Sequence, residues 1–318
     1  MNNLYKELVQ IIRNATPSDL TPVDTLISVI PMSKEAAYRR LRGEINFTLD
    51  EAVKITKEFD VSLDNLIDFS PKSRYSVPMI CMGQDEFPDL YKHSFEEIIA
   101  ILKKLKSCSN PAIYIFTNIL LPLNHTFKYN AISKFRMFRR SFRWNEDVIP
   151  AKMNETIISP EFLQVENELF RELMTVPTNY VCTSELMQAF VRDIKLYRKM
   201  NLITEEEEKN LKNETIGLLD NLERDATKGV IQNNIPFYMF LSESNFDATY
   251  LYFSSDEYEV VATQLFGAGF FFFKDIRIIN QMKNWKNTLI KNSTLISICG
   301  EKQRFDFFRT QRMVVDTL

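Results

Sequence analysis

Helix start and stop signals follow one another closely through the first 70 residues, and this spacing permits little besides short helices. Apolar residues recur at helical intervals over 3–14, which predicts one further helix ahead of the first signal. Together these features predict an all-α head of five helices over residues 1–70. The signals are the N-cap residues Thr21, Ser33, Thr48 and Ser62 and the helix terminator Gly43.

The pattern changes after the head. Several prolines interrupt residues 71–93, which predicts a linker. Residues 94–318 mix helical periodicity with aromatic and β-branched runs, so the expected fold is the five-helix head followed by a larger α+β domain. One predicted helix begins at Ser94. Further helices are predicted over 130–143, 160–174, 184–200, 204–227 and 276–291. Predicted strands cover 111–121, 176–182, 235–242, 248–254, 257–265, 269–274 and 294–299.

The predicted third helix, 33–42, has two chemically different sides. Ala37 and Leu41 fall on one face, and the small Ala37 permits close helix packing. Residues 32–42 carry a local charge of +3 within an otherwise acidic head. Such a helix suits the major groove, although a solvated basic helix in a helical bundle is the alternative. The residues expected to contact DNA are Ser33, Lys34, Glu35, Ala36, Tyr38, Arg39 and Arg42.

Residues 22–66 also resemble the phage-repressor type of helix-turn-helix transcriptional regulator, of the kind common in Bacteroides-type bacteria. The segment MSKEAAYRRLRGE carries the closest likeness, and Ser62-Leu63-Asp64-Asn65-Leu66 matches the short closing segment of that family. Pro31 stands where the family turn usually has glycine. The resemblance implies a DNA-reading head. The matching positions are Leu26, Ile27, Ile30, Pro31, Met32, Ser33, Ala37, Gly43, Thr48, Leu49, Asp50 and Glu51.

A second basic helix is predicted at 130–143. Its arginines are candidates for a further phosphate contact, for the seat of an anionic ligand, or for a membrane surface. The alternative is an amphipathic helix packed on the body with a solvated basic face. The arginines in question are Arg136, Arg139, Arg140 and Arg143.

Composition argues against several other classes of protein. Glycine is scarce, at 7 residues, and no phosphate-binding or nucleophile motif is present. The 4 cysteines and 2 histidines are scattered without metal-ligand spacing. We therefore predict no catalytic residue, no metal and no cofactor, and we expect a protein that is not an enzyme. No signal-peptide pattern or long apolar run occurs, so a cytoplasmic protein without a membrane partner is expected.

These features together predict a cytoplasmic transcriptional regulator that binds double-stranded DNA. The α+β domain is expected to form a homodimer, to sense a small-molecule effector, or to do both. The main alternative is a protein-interaction module that uses a repressor-like head as a scaffold. A third class is an enzyme fused to a DNA-binding head.

Overall fold

The computed structural model describes residues 3–17, 20–59, 61, 63, 87–120, 130–144, 152–265 and 269–318. The chain divides into two compact units, Met1–Ile80 and Cys81–Leu318.

Eleven α-helices and seven strands lie within these residues. The helices are α1 Asn3–Ala15, α2 Pro22–Val29, α3 Lys34–Leu41, α4 Leu49–Glu58, α5 Phe87–Leu105, α6 Asn130–Trp144, α7 Pro160–Leu173, α8 Gln188–Lys199, α9 Glu205–Lys228, α10 Ile276–Lys291 and α11 Glu301–Asp316. The strands are β1 Ala112–Thr117, β2 Thr178–Cys182, β3 Phe237–Leu241, β4 Tyr250–Ser254, β5 Glu259–Leu265, β6 Gly269–Phe273 and β7 Thr294–Leu295. No described helix is both long enough and apolar enough to cross a membrane.

Four helices, α1–α4, form the described part of the N-terminal unit. The hydroxyls of Thr21, Ser33 and Thr48 cap α2, α3 and α4, and Glu51 completes a capping box with Thr48. Each helix contributes apolar residues to one small core, which stabilises the unit by removing them from water. The core residues are Leu8, Ile12, Val23, Leu26, Ile30, Ala37, Ala52 and Ile55.

The predicted fold class, a five-helix all-α head before an α+β domain, is wrong. The chain is an α+β protein with a mixed seven-stranded sheet, and its N-terminal unit has four helices in the residues described. The fifth helix was predicted from one N-cap signal at Ser62. That residue and 64–86 lie outside the described residues.

The C-terminal unit is built on one sheet with the strand order β6-β5-β4-β1-β2-β3-β7. Strands β1, β2 and β3 are parallel neighbours, and helices connect them in sequence. Strands β4, β5 and β6 then form an antiparallel meander on the other side of β1. The first strand in the chain therefore lies in the middle of the sheet.

The two faces of the sheet pack differently because side chains alternate along each strand. Ile113 and Ile115 of β1 point into the large core shared with α5 to α9 and α11. Phe116 points to the opposite face, where Ile279 and Met282 of α10 contribute to a smaller core.

Four local features of the structure differ from the predictions. Helix α5 begins at Phe87, inside the predicted linker, with Pro88 in its first turn, where a proline costs no hydrogen bond. Ser94, the predicted N-cap, instead lies buried within α5, and its hydroxyl accepts a hydrogen bond from the Phe270 amide at 3.0 Å. Strand β7 is only two residues long, and helix α11 was not predicted.

Candidate nucleic-acid interface

Helix α3 has sharply defined ends. The Ser33 hydroxyl accepts a hydrogen bond from the Ala36 amide at 3.2 Å and begins the helix. At the other end Gly43 adopts φ 80°, a left-handed conformation that glycine reaches without strain. The Gly43 amide then bonds to the Arg40 carbonyl and the Glu44 amide to the Arg39 carbonyl. This reversal brings Glu44 back alongside the last turn of α3.

The inner face of α3 holds Ala37 and Arg40. Ala37 is fully buried in the core of the unit. The Arg40 guanidinium forms a two-pronged ion pair with Glu51 of α4, at 2.9 Å and 3.1 Å. Burial opposes ionisation of Glu51, but hydrogen bonds from Arg40 and from the Thr48 amide outweigh it and lower the pKa of this carboxyl. Arg40 thus joins α3 to α4 and does not belong to the outer surface.

The outer face carries most of the predicted contact residues. Ala36 is half-buried, and its carbonyl accepts a hydrogen bond from Arg40 at 3.4 Å. Tyr38 is 51% exposed, which is unusual for a large aromatic side chain in a small helical unit. The other exposed predicted residues are Ser33, Lys34, Glu35, Arg39 and Arg42.

Acidic partners accompany every exposed cation of this face. Glu44 lies 3.4 Å from Arg39 and 3.2 Å from Arg42, and it pairs with both. Asp24 of α2 lies 3.4 Å from the Lys34 ammonium. The Thr21 hydroxyl first, and then Lys34, lower the pKa of Asp24.

These pairs change the electrostatic interpretation of α3. The local charge of +3 included Arg40, which is directed inward, and it omitted Asp24 and Glu44. The outer surface contains the cations Lys34, Arg39 and Arg42 and the carboxylates Asp24, Glu35 and Glu44, so its charges balance. Sequence reasoning missed Glu44 and Asp24. Gly43 was the available signal for Glu44, because a left-handed glycine reverses the chain onto the preceding turn.

The arginines predicted on the second basic helix, α6, lie in a different environment. Arg136 is buried and donates a hydrogen bond to the Tyr91 hydroxyl of α5 at 2.7 Å. Arg139 pairs with Asp193 of α8 at 2.7 Å. Both guanidiniums are thus bound to side chains of other helices, α5 and α8. The side chains of Arg140 and Arg143 lie outside the described residues.

The described residues contain no group of three His, Cys, Asp or Glu side chains arranged to hold a metal ion. Cys182 is fully buried at the end of β2, and burial raises the pKa of its thiol well above the usual value. A thiol in this state is protonated and is a poor nucleophile.

Comparisons of the chain with protein-family models, with curated proteins and with solved structures found no match. The resemblance of residues 22–66 to phage-repressor regulators therefore stays a prediction.

Proposed function

We propose that the protein is a sequence-specific DNA-binding transcriptional regulator that inserts α3 into the major groove. The division of α3 into a buried face and an exposed face is the main support for this proposal. Ala37 anchors the helix, while Tyr38, Arg39 and Arg42 extend outward. An α-helix with its side chains is about 10–12 Å across, and the major groove is about 12 Å wide, so the groove admits a helix such as α3.

The balanced charge of this surface predicts how it would bind DNA. Arginine can bind guanine through two hydrogen bonds, and Glu35 can accept a hydrogen bond from cytosine. Non-specific affinity depends mainly on cations that neutralise phosphates. Because Asp24, Glu35 and Glu44 together balance the three cations of this surface, we expect weak non-specific binding and a larger contribution from base contacts.

We also propose that the protein is a cytoplasmic homodimer paired through the C-terminal unit, because two-fold operators require paired heads. Exposed apolar side chains on α11, Phe305 and Met313, offer a surface for pairing. Light scattering of the full chain is expected to give twice the 37.4 kDa of one chain. A mass of one chain at every accessible concentration would contradict this part. We further propose that a small-molecule effector alters this pairing.

DNA binding is tested by selecting duplexes from a randomised library with the full chain and titrating the enriched sequence by fluorescence anisotropy. Arg39→Ala is expected to weaken binding by about 1–3 kcal/mol if Arg39 contacts a base. Arg171→Ala removes an exposed arginine of α7 and is the matched control, expected to leave affinity unchanged. Failure to enrich any sequence, or unchanged affinity in the Arg39→Ala, Arg42→Ala double variant, would refute the proposal.

A protein-interaction module is the second candidate, and one observation favours it. Tyrosine and arginine dominate the energetics of protein interfaces, and the outer face of α3 combines an exposed Tyr38 with balanced charges. The same double variant separates the two functions. Two results together would support this alternative. The unaltered chain would show no DNA selectivity, and a protein partner that it captures would be lost in the double variant.

A further inference from the structure

A row of polar and aromatic side chains crosses the sheet of the C-terminal unit on the face opposite the large core. Tyr114 of β1 is the register partner of Asn179 of β2, which is the partner of Tyr238 of β3. All three are only partly buried. Their strand neighbours belong to the large core, so alternation places this row on the opposite face. Those neighbours are Ile113, Ile115, Tyr180, Phe237 and Met239.

Helix α10 lies on the same face and holds a lysine at this row. Met282 and Leu289 pack into the smaller core, and Lys286 lies between them along the helix. Its ammonium stands 4.5 Å from the centre of the Tyr114 ring. That ring also stacks on Tyr252 of β4, with the ring centres 5.8 Å apart. The cation is therefore held against an aromatic surface by a helix that is itself anchored.

The acidic group nearest to this arrangement already has partners. Glu259 of β5 pairs with Lys283 at 2.7 Å and accepts a hydrogen bond from the Tyr252 hydroxyl. No carboxylate among the described residues forms an ion pair with Lys286. Partial burial, and then the neighbouring ammonium of Lys283, lower the pKa of Lys286. A half-buried ammonium whose described contact is an aromatic ring gains stabilisation from an added anion.

We propose that this row binds an aromatic carboxylate. The ligand ring lies on the surface formed by Tyr114, Asn179 and Tyr238, and its carboxylate pairs with the Lys286 ammonium. Aromatic rings favour offset stacking on tyrosine. One N–H of the Asn179 amide donates to the Ile113 carbonyl at 3.5 Å, and the second N–H and the amide oxygen offer a donor and an acceptor to a ring substituent. Adjacent strands lie about 4.8 Å apart, so the row extends over about 10 Å and matches a compound of one or two rings.

This site goes beyond DNA binding and does not depend on it. The C-terminal unit alone contains all the residues involved, so a ligand would bind whether or not α3 contacts DNA. Loss of DNA binding in a variant of α3 would leave the site unaffected.

Isothermal titration of the full chain tests the site with benzoate and 1-naphthoate as probes. Benzamide lacks the charge and cyclohexanecarboxylate lacks the aromatic ring, so both are expected to bind roughly tenfold or more weakly than the corresponding aromatic acid. This comparison uses the unaltered protein and needs no folded variant. Absence of binding by both aromatic acids up to their solubility, or equal binding of benzamide and benzoate, would overturn the proposal.

A matched pair of variants locates the site. Lys286→Gln is expected to lower affinity for 1-naphthoate roughly 10- to 100-fold, because a charge-assisted hydrogen bond is lost. Lys291→Gln removes an exposed lysine at the end of the same helix and is expected to bind like the unaltered chain. Equal affinities in the two variants, whether both are unchanged or both reduced, would show that Lys286 is not the anion contact.

Discussion

Helices α3 and α6 both carry several arginines at helical spacing, yet these arginines lie in opposite environments. On α3, Arg39 and Arg42 are exposed and share the exposed carboxylate of Glu44. On α6, Arg136 and Arg139 are directed inward to Tyr91 and Asp193 of other helices. A basic amphipathic helix thus becomes a surface for other molecules only where the remaining fold leaves its cations outside. The contrast also predicts where a lost arginine will cost stability and where it will cost binding.

The largest effect is expected for Arg139→Met on α6. Asp193 is 8% exposed, so removal of the guanidinium leaves a buried carboxylate without this partner. Breaking such a pair costs about 3 kcal/mol or more in unfolding free energy. Both tryptophans, Trp144 and Trp285, belong to the C-terminal unit, so urea unfolding followed by tryptophan fluorescence reports on the relevant region. Arg39→Met serves as the control, with an expected change within about 0.5 kcal/mol. Because Arg39 belongs to the N-terminal unit, which contains no tryptophan, its effect is measured by hydrogen exchange of the amides of that unit. Equal losses in the two variants would remove the distinction between the helices.

An effect of intermediate size on stability is expected within α3 itself, because Arg40 is directed inward like the arginines of α6. Glu51→Gln is expected to destabilise the packing of α3 on α4 by about 1–2 kcal/mol at neutral pH. Protection of α4 amides from hydrogen exchange, compared with α1 amides in the same sample, measures this effect. Unchanged protection would mean that the ion pair contributes nothing to the unit.

The same pair predicts a dependence on pH. The pKa of Glu51 is lower in the folded chain than in the unfolded chain, so its contribution is present in full above the unfolded value of about 4.3. That contribution is lost as pH falls through the lower folded value. We therefore expect the difference between the unaltered chain and Glu51→Gln to shrink toward zero as pH falls below about 4. A difference that grows in acid would contradict this assignment.

The smallest effect is expected for Glu44→Gln. Removing this carboxylate releases Arg39 and Arg42 from their exposed ion pairs, which contribute little to stability. Non-specific affinity for duplex DNA should rise about two- to fivefold at low salt, with a steeper salt dependence, because more charge becomes available to phosphates. Glu206→Gln, an exposed acid on α9, is the control for overall charge. An equal rise in both variants would show that the position of Glu44 is unimportant.

Local signals predicted much of the secondary structure. Thr21, Ser33 and Thr48 were each identified as N-caps, and each hydroxyl accepts the expected backbone hydrogen bond. These caps operate within one turn of helix, so neighbouring residues are sufficient to recognise them. The helix predicted over 204–227 was confirmed for the same reason, since Thr204 is the N-cap of α9.

Features that depend on distant partners could not be read from the chain in this way. Arg40 pairs with a residue on the next helix, and Arg139 pairs with a residue 54 positions away. The missed helix α11 left a weaker signal, since its buried residues follow helical spacing but include an arginine and a glutamine. These residues are Arg304, Phe307, Phe308, Gln311 and Val315. That glutamine is fully buried because its amide bonds to the Ser184 carbonyl and the Met187 amide. Only the tertiary structure provides those partners.

The central position of β1 has a consequence for synthesis of the chain. Its parallel partner β2 follows after one helical crossover, but Phe116 pairs with Tyr250 of β4, which lies 134 positions further along the chain. At a typical 5–20 residues per second, a nascent chain waits roughly 7–27 s with this apolar strand open along one side. An open strand of this kind can pair with another chain. Incomplete chains that stop before residue 250 should therefore aggregate during translation. Chaperones that bind apolar nascent segments should bind residues 112–117 in such chains.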